Sequence, residues 1–315
     1  MKPTLGVLIT YYNERDLLRE CLDSLVAGRD RPDEVVIYDD ASVYPPEEYI
    51  PAGMNVQVLR GEDNGGPARA RNRLLERSGS DYIHFQDADD LFHPDWVTRV
   101  RARIQETNPE AVFTEISSYR DGQKVCERVL KLSELSRGKD LVRFCLEGAL
   151  LVPSGTYQRG KVLSIGGYRE ALWQSEDFDF HIRLANSGLR YEIMDEPLIR
   201  TRLRSTSRSQ DQKSVWTSTL QALELLSKEL PTEYRLDLAE KAAIAGSMLY
   251  QIHEKGAARR AFSCALQWGP PRYRTQGRLY GWVAGCAGPE FAERLGHVYR
   301  KVLPESVRRF IRLRD

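Results

Sequence analysis

Over the first 120 residues, apolar runs of strand length alternate with segments of helical period, and three of those runs break off into polar clusters. Leu5–Thr10 gives way to Tyr11, Tyr12 and Asn13. Glu34–Tyr38 gives way to Asp39-Asp40-Ala41-Ser42, and Tyr82–Phe85 to Gln86-Asp87-Ala88-Asp89-Asp90. Val56–Leu59 is a further short strand. Between them, Glu14–Ala27 sets Leu17, Leu18, Cys21, Leu22 and Leu25 on one helical face and stops at Gly28. Ala68–Arg77 and Trp96–Ile104 also have helical spacing. Strands separated by helices of about 10–15 residues predict βαβ units and a mainly parallel sheet. Ligands of such sheets sit beyond the carboxyl ends of the strands. The three polar clusters are therefore expected to meet in one crevice.

Residues 110–200 are less regular, with strands at Ala111–Ser117 and Tyr191–Met194 and a helix at Lys139–Leu146. Ser175, followed by Glu176, Asp177 and Asp179, reads as the N-cap of a helix that ends near Gly188. After Arg208 the pattern becomes helical. Val215–Leu230 and Tyr234–Glu254 are amphipathic, split by Pro231, and a Gly/Pro/aromatic stretch follows before two short basic helices, Phe291–Val302 and Glu305–Leu313. The expected division is an α/β domain over 1–210 and a helical region with a basic tail over 211–315.

Composition narrows the function classes. A chain of 315 residues, 41% hydrophobic, can bury a core without a metal or disulfide lattice. With 46 basic and 45 acidic residues it is neither an acidic disordered tail nor a cationic coat, so nucleic acid is not an expected partner. The five cysteines are scattered and form no C-x-x-C pair, which fits thiols in a reducing compartment. The opening MKPTLGVLIT is too short for a signal peptide or anchor, and no run reaches about 18 apolar residues. The expectation is a cytoplasmic protein, at most peripheral at the inner face of a membrane. Charge is nevertheless polarised: residues 256–315 hold 12 Arg/Lys against 4 Asp/Glu, a net of +8 that leaves −7 on the remainder. A solvated basic face and a surface that meets something anionic, such as phospholipid, both fit.

Three groups could carry chemistry. Asp87, Asp89 and Asp90 place three carboxylates within four residues at a strand end, a concentration of charge suited to a hard divalent cation such as Mg²⁺ or Mn²⁺. Taken alone, such a turn serves equally as an exposed cap of the next helix. Asn64-Gly65-Gly66-Pro67 opens a helix carrying Arg69 and Arg71, where glycine backbone, helix start and guanidinium suit an anion, although a plain turn would look the same. It matches neither G-x-G-x-x-G nor a Walker A loop. Glu176 and Asp177 at a helix start are held ionised by the dipole, as a general base requires, and are also ordinary helix-start charges. The five histidines form no H-E-x-x-H, and no G-x-S-x-G elbow is present.

In this order and spacing the pieces resemble the family 2 glycosyltransferases of the GT-A fold. Thr10–Glu14 is similar to T-x-Y-N-E, Asp39–Ser42 to D-D-x-S, Asn64–Asn72 to N-x-G-x-x-x-A-R-N and Asp87–Asp90 to D-x-D-D. Glu176-Asp177, with Arg183 and Gly188 following, resembles the acceptor-side E-D motif. The resemblance covers about residues 3–210 and implies a Rossmann-like, mainly parallel sheet flanked by helices. It implies an inverting enzyme that moves a sugar from a nucleotide-diphosphate donor to a hydroxyl of a glycan or lipid-linked acceptor, in bacterial surface polysaccharide or glycan assembly. Thr10, Tyr12, Glu14, Asp39, Asp40, Arg71 and Asp87 would bind the nucleotide, with Arg71 near the base or diphosphate. Asp89 would ligate Mn²⁺ or Mg²⁺, with the part of Asp90 left open. Asp177 would be the base and Glu176 would stand on the acceptor side. An acidic residue near the base makes a UDP-sugar the default donor, with guanosine and thymidine open.

One departure stands out. Where many relatives have R-x-H-x-x-S-x-S, this chain has Arg200-Thr201-Arg202-Leu203-Arg204-Ser205-Thr206-Ser207, with Arg202 in place of the histidine. A guanidinium cannot ligate a metal but can pair with a diphosphate, so Arg200, Arg202 and Arg204 are expected to form either a mobile lid over the leaving group or a basic surface loop. A sugar-nucleotide pyrophosphorylase would need a G-x-G-T-R-type loop where T-Y-Y-N-E stands. An inactive nucleotide-sugar-binding scaffold is opposed by the joint presence of Asp87, Asp89 and Asp177. For residues 211–315 three roles are open: shielding the acceptor site, forming a homodimer, or peripheral membrane contact through the basic helices.

Overall fold

Strand β1 (Leu5–Tyr11) is buried along almost its whole length, as befits a strand paired on both sides within a parallel array. The computed structural model describes residues 2–302 apart from 149, 205, 206, 272 and 274–276. The other strands are β2 (Glu34–Asp39), β3 (Gln57–Arg60), β4 (Tyr82–Asp87), β5 (Leu91–Phe92), β6 (Ala111–Arg120), β7 (Gln123–Cys126), β8 (Gly155–Gln158) and β9 (Tyr191–Arg202). They form one sheet of order β3-β2-β1-β4-β8-β6-β9-β5, with β7 beside β6. The run β3-β2-β1-β4 is parallel, as is β6 with β9. Strand β8 is antiparallel to both neighbours, β5 pairs antiparallel with β9 at the edge, and β7 pairs antiparallel with β6. This is the mainly parallel, helix-flanked α/β sheet that the resemblance implies.

Helices α1 (Asp16–Val26), α2 (Gly66–Arg77) and α3 (Trp96–Thr107) fill the early crossovers. The stripe expected on α1 is buried at Leu18, Cys21, Leu22 and Leu25. Short helices α4 (Ser133–Ser136), α5 (Leu141–Leu146) and α6 (Arg159–Ser164) precede α7 (Glu176–Asn186). Register does the positioning. Thr10 on β1 pairs with Asp87 on β4, and Tyr11 pairs with Asp39 on β2, so all three polar clusters emerge at the same carboxyl edge.

Strand β9 runs well past the expected Met194. Its later residues Arg200, Thr201 and Arg202 are laddered to Ser117, Ser118 and Tyr119 of β6, and Arg200 also pairs with Leu91 of β5. Asp195-Glu196-Pro197 broke the sequence pattern, and the structure accommodates it as a register shift around Glu115. Arg200 and Arg202 therefore belong to a sheet strand. A mobile lid containing both is corrected to a strand followed by a loop from Leu203 onward.

The chain divides into two compact units, Met1–Arg208 and Ser209–Asp315. The second unit is helical: α8 (Gln212–Leu226), α9 (Arg235–Gln251), α10 (Lys255–Trp268), α11 (Arg278–Ala287) and α12 (Pro289–Val302). Its core gathers Leu220, Ala245, Leu249, Ala258, Ala261 and Phe262, and α9 meets α10 where Gly246 leaves room for the Phe262 ring. Both α10 and α11 lie where no helix was expected. The expected helix Glu305–Leu313 lies outside the described residues. Among the described residues no helix is long and apolar enough to cross a membrane, and all five cysteines are free thiols.

Candidate active site

The loops that leave β1 and β2 are tied to each other before they reach any ligand. Asn13 Oδ1 accepts from the Val43 amide at 2.8 Å, and the Asn13 amide donates to Ser42 Oγ at 3.0 Å. Asn13, Arg15 and Ala41 all have positive φ (58°, 41° and 61°), a cluster of costly non-glycine backbone of the kind that functional loops retain. Asp39 is buried and accepts from the Ser42 amide at 2.8 Å and from Arg60 Nη1 at 2.6 Å. Asp40, also buried, accepts from the Gly65 and Gly66 amides at 2.9 and 2.8 Å, so its carboxylate holds the glycine turn at the start of α2. Tyr12 stands exposed at the rim.

That turn requires glycine. Gly66 has φ +80°, and a Cβ there would lie 3.0 Å from the Trp173 ring. The helix it launches carries Arg71 inward. Arg71 is buried, donating from Nη1 to Glu176 Oε1 at 2.7 Å and from Nη2 to Asp87 Oδ1 at 2.9 Å, with its guanidinium 5.3 Å from the Tyr168 ring centre. Burial opposes its charge, but Asp87, Tyr168 and Glu176 outweigh that and raise its pKa. Thr10 Oγ1 donates to the same Asp87 oxygen at 3.2 Å. Asp87 and Glu176, which come from motifs 89 residues apart, thus share one cation.

Helix α7 begins at Glu176, with Ser175 before it in the left-handed region at φ 57°. The expected side-chain N-cap is corrected here: the Ser175 side chain makes no cap bond, and its carbonyl accepts from the Asp179 amide at 3.2 Å. Asp179 is completely buried between Arg169 at 2.6 Å and Arg183 at 2.7 Å. Arg183 in turn donates to the carbonyls of Ile165 and Gly167, both at 2.8 Å. This lattice clamps the start of α7 and with it Asp177. The expectation that the helix start holds Asp177 ionised is corrected: burial, then the charge of Glu176, pushes its carboxyl up to about 7, against the pull of Arg71. An acid of that pKa can both exist as a carboxylate and receive a proton near neutrality.

The acidic turn after β4 divides its labour. Asp90 points inward, buried, and accepts from the Arg202 amide at 2.9 Å. Asp89 accepts from Arg204 at 2.6 Å, and the same guanidinium grips both oxygens of Glu14 at 2.8 and 2.9 Å. Burial and then Asp87 push Asp89 up to about 6, with Arg204 opposing. Glu14, expected beside the nucleotide, is thereby turned onto Arg204. Arg202 is held by Glu20 at 2.6 Å and by the Asp89 carbonyl at 3.3 Å. Among the described residues no three His, Cys, Asp or Glu side chains converge into a preformed cation cage. A single carboxylate crowded by another still suits a divalent ion whose remaining ligands are phosphates and water.

Sequence reasoning missed Trp173 and Arg208. Trp173 is half exposed over Gly66, with the Arg208 guanidinium 5.2 Å from its ring centre. Arg208 also donates to the Trp173 carbonyl, and Gln174 Nε2 donates to the Arg208 carbonyl at 3.0 Å. An aromatic three residues ahead of the Glu176-Asp177 pair was the available signal.

Residues 6–162 match the family model described as Glycosyl transferase family 2. An uncharacterized glycosyltransferase of Haemophilus influenzae is 29% identical over 203 residues, which span 62% of this chain and 66% of that protein, just short of two thirds. The putative teichuronic acid biosynthesis glycosyltransferase TuaG of Bacillus subtilis is 26% identical over 165 residues, 51% of this chain and 66% of TuaG. The crystal structure of S. aureus TarS 1–349 in complex with UDP-GlcNAc superposes with a TM-score of 0.70 at 18% identity, covering 95% of this chain and 92% of that one, a likeness of fold. Residues 6–162 of this chain are thus a glycosyl transferase family 2 domain.

Proposed function

We propose that the protein transfers a sugar, with inversion, from a nucleoside-diphosphate donor to a hydroxyl of a glycan or lipid-linked acceptor in surface polysaccharide assembly. The observation that carries this is Arg71, which draws the strand-end carboxylate Asp87 and the helix-start carboxylate Glu176 onto one guanidinium and so ties the start of the helix that carries Asp177 to the end of β4. TuaG, named for teichuronic acid biosynthesis, and the UDP-GlcNAc complex of TarS support the same substrate class. UDP is the default nucleotide.

Thr10, Tyr12, Asp39 and Asp40 would line the nucleoside side, with Asp87 toward the ribose or sugar hydroxyls. Asp39 and Asp40 act largely by shaping it, since their carboxylates already hold Arg60 and the Gly65-Gly66 turn. A divalent cation on the diphosphate would offset the negative charge that develops on departure, and Asp89 is the residue to hold it. Arg204, which pairs with Asp89 in the free protein, would move onto the diphosphate, as a planar guanidinium can. Asp177 takes the proton of the acceptor hydroxyl as its oxygen bonds to the anomeric carbon and the bond to the diphosphate breaks. With one displacement and no covalent sugar–protein bond, the configuration inverts. Glu176, neutralised by Arg71, stays a positioning group.

The test is UDP release from UDP-GlcNAc and other UDP-sugars by wild type and Asp177→Asn. Loss of about 10²–10⁴-fold with UDP affinity retained is expected for a base. Turnover within a few-fold of wild type would remove Asp177 from that role.

A further inference from the structure

Helix α11 turns Val283 and Ala284 inward and leaves Leu279 and Trp282 outside, 57% and 68% exposed, with Cys286 exposed one turn further on. Their i, i+3, i+7 spacing makes a single stripe. The only charged residue in the helix is Arg278, at its first position. Helix α12 adds Phe291 and Leu295, 51% and 48% exposed, with Arg294 exposed between them. Its other side is committed: Glu293, buried, accepts from Tyr280 Oη at 2.9 Å and bonds Ser247. Phe291 and Leu295 each stand two residues from Glu293 and so face away from it.

Charge says what the apolar stripe meets. Residues 278–315 hold eight Arg/Lys and four Asp/Glu. Two of those acids are withdrawn from the surface field, Glu293 by burial and Glu290 by Arg259 at 3.0 Å and Arg294 at 3.6 Å. Exposed tryptophan, leucine and phenylalanine in a segment whose sequence is rich in arginine is the composition of a surface that settles into lipid headgroups. The same excess of like charge would oppose a second copy of this face.

We propose that α11 and α12 form a docking surface for an anionic lipid bilayer, with Leu279, Trp282, Phe291 and Leu295 entering the headgroup region while basic side chains meet lipid phosphates. The expected basic helix at Phe291–Val302 thus keeps a part in the surface, as α12, and α11, from the Gly/Pro/aromatic stretch, joins it. The surface lies in the second unit and its test involves no nucleotide, so it stands or falls separately from the transferase assignment.

The experiment is sedimentation of the full chain with vesicles of phosphatidylcholine alone or with about one third phosphatidylglycerol, at low and high salt. Binding to the anionic vesicles, weakened by salt and reduced about tenfold or more in a Leu279→Ser/Trp282→Ser variant that melts as wild type, is expected. Because that variant could fail to fold, a milder one is run beside it. Brominated acyl chains should quench tryptophan emission of wild type and much less that of Trp282→Phe. Absence of binding to anionic vesicles at low salt overturns the proposal. So does equal quenching in the two proteins, or a dimer in solution that Trp282→Ser dissociates.

Discussion

Arg71 and Glu176 form a buried ion pair at 2.7 Å that joins the helix after the glycine turn to the helix carrying Asp177. Because the same guanidinium also holds Asp87, its removal would leave two carboxylates facing each other in a low dielectric. Arg71→Met is expected to lower stability by about 3–5 kcal/mol, the range for breaking one side of a buried pair. Arg71→Lys should lose less stability but cannot bridge both carboxylates in the same planar geometry. Denaturant unfolding of the three proteins checks the order.

Asp177 ties activity and stability to pH in opposite senses. In the proposed role of base it must be ionised, so kcat should climb about tenfold per pH unit below about 7 and level off above it. Its folded pKa lies above the ordinary carboxylate value, so the folded chain holds that proton more tightly than the unfolded one. The stability this contributes is complete below about pH 4 and is lost as pH rises through about 7. Asp177→Asn should therefore melt above wild type at pH 8, by about 1–2 kcal/mol after solvent screening, and match it near pH 4. Thermal melts across that range check it.

Arg204 occupies Asp89 and Glu14 at once. Free Mn²⁺ must displace that guanidinium before it reaches Asp89, so wild type should bind Mn²⁺ weakly without nucleotide. Arg204→Gln should bind Mn²⁺ alone about tenfold or more tightly, since one charge-assisted contact is removed from competition. The same variant should bind UDP with Mn²⁺ less tightly. Calorimetric titration with each partner separates the two effects.

Gly66→Ala meets two penalties together, a left-handed backbone at φ +80° and the Trp173 ring at 3.0 Å. A loss of about 1–3 kcal/mol is expected, with weaker UDP binding because the turn that Asp40 holds must shift. Gly79→Ala is the control, with open space and no positive φ, and should stay close to wild type.

The strand ends that build the crevice were legible because a parallel sheet writes itself as apolar runs, each closed by polar residues. Thr10, Asp39 and Asp87 duly emerge at one edge. The partners of those residues were not legible. Arg71 reads as a ligand group in sequence, yet both its Nη atoms are spent on Asp87 and on Glu176, 105 residues away. Glu14 sits inside a motif, but Arg204, from beyond the end of β9, claims it. Pro197 hid the second half of β9 because a register shift lets a strand absorb a proline that would otherwise end it. Helix α11 was hidden by Gly281 and Gly285, which weaken helical propensity without preventing a helix that packs Val283 and Ala284.

Nucleoside-diphosphate binding tests the central claim most directly, because Asp89 and Arg204 are proposed to meet the diphosphate and its cation. UDP with Mn²⁺ should raise the melting midpoint of wild type, by the equivalent of about 2–3 kcal/mol at a hundredfold excess over Kd. UDP without a divalent ion should do much less, and Asp89→Asn should lose the cation-dependent part. If UDP, GDP, dTDP and CDP all leave the midpoint where it was, with and without Mn²⁺ or Mg²⁺, the site does not hold a nucleotide donor and the account is contradicted.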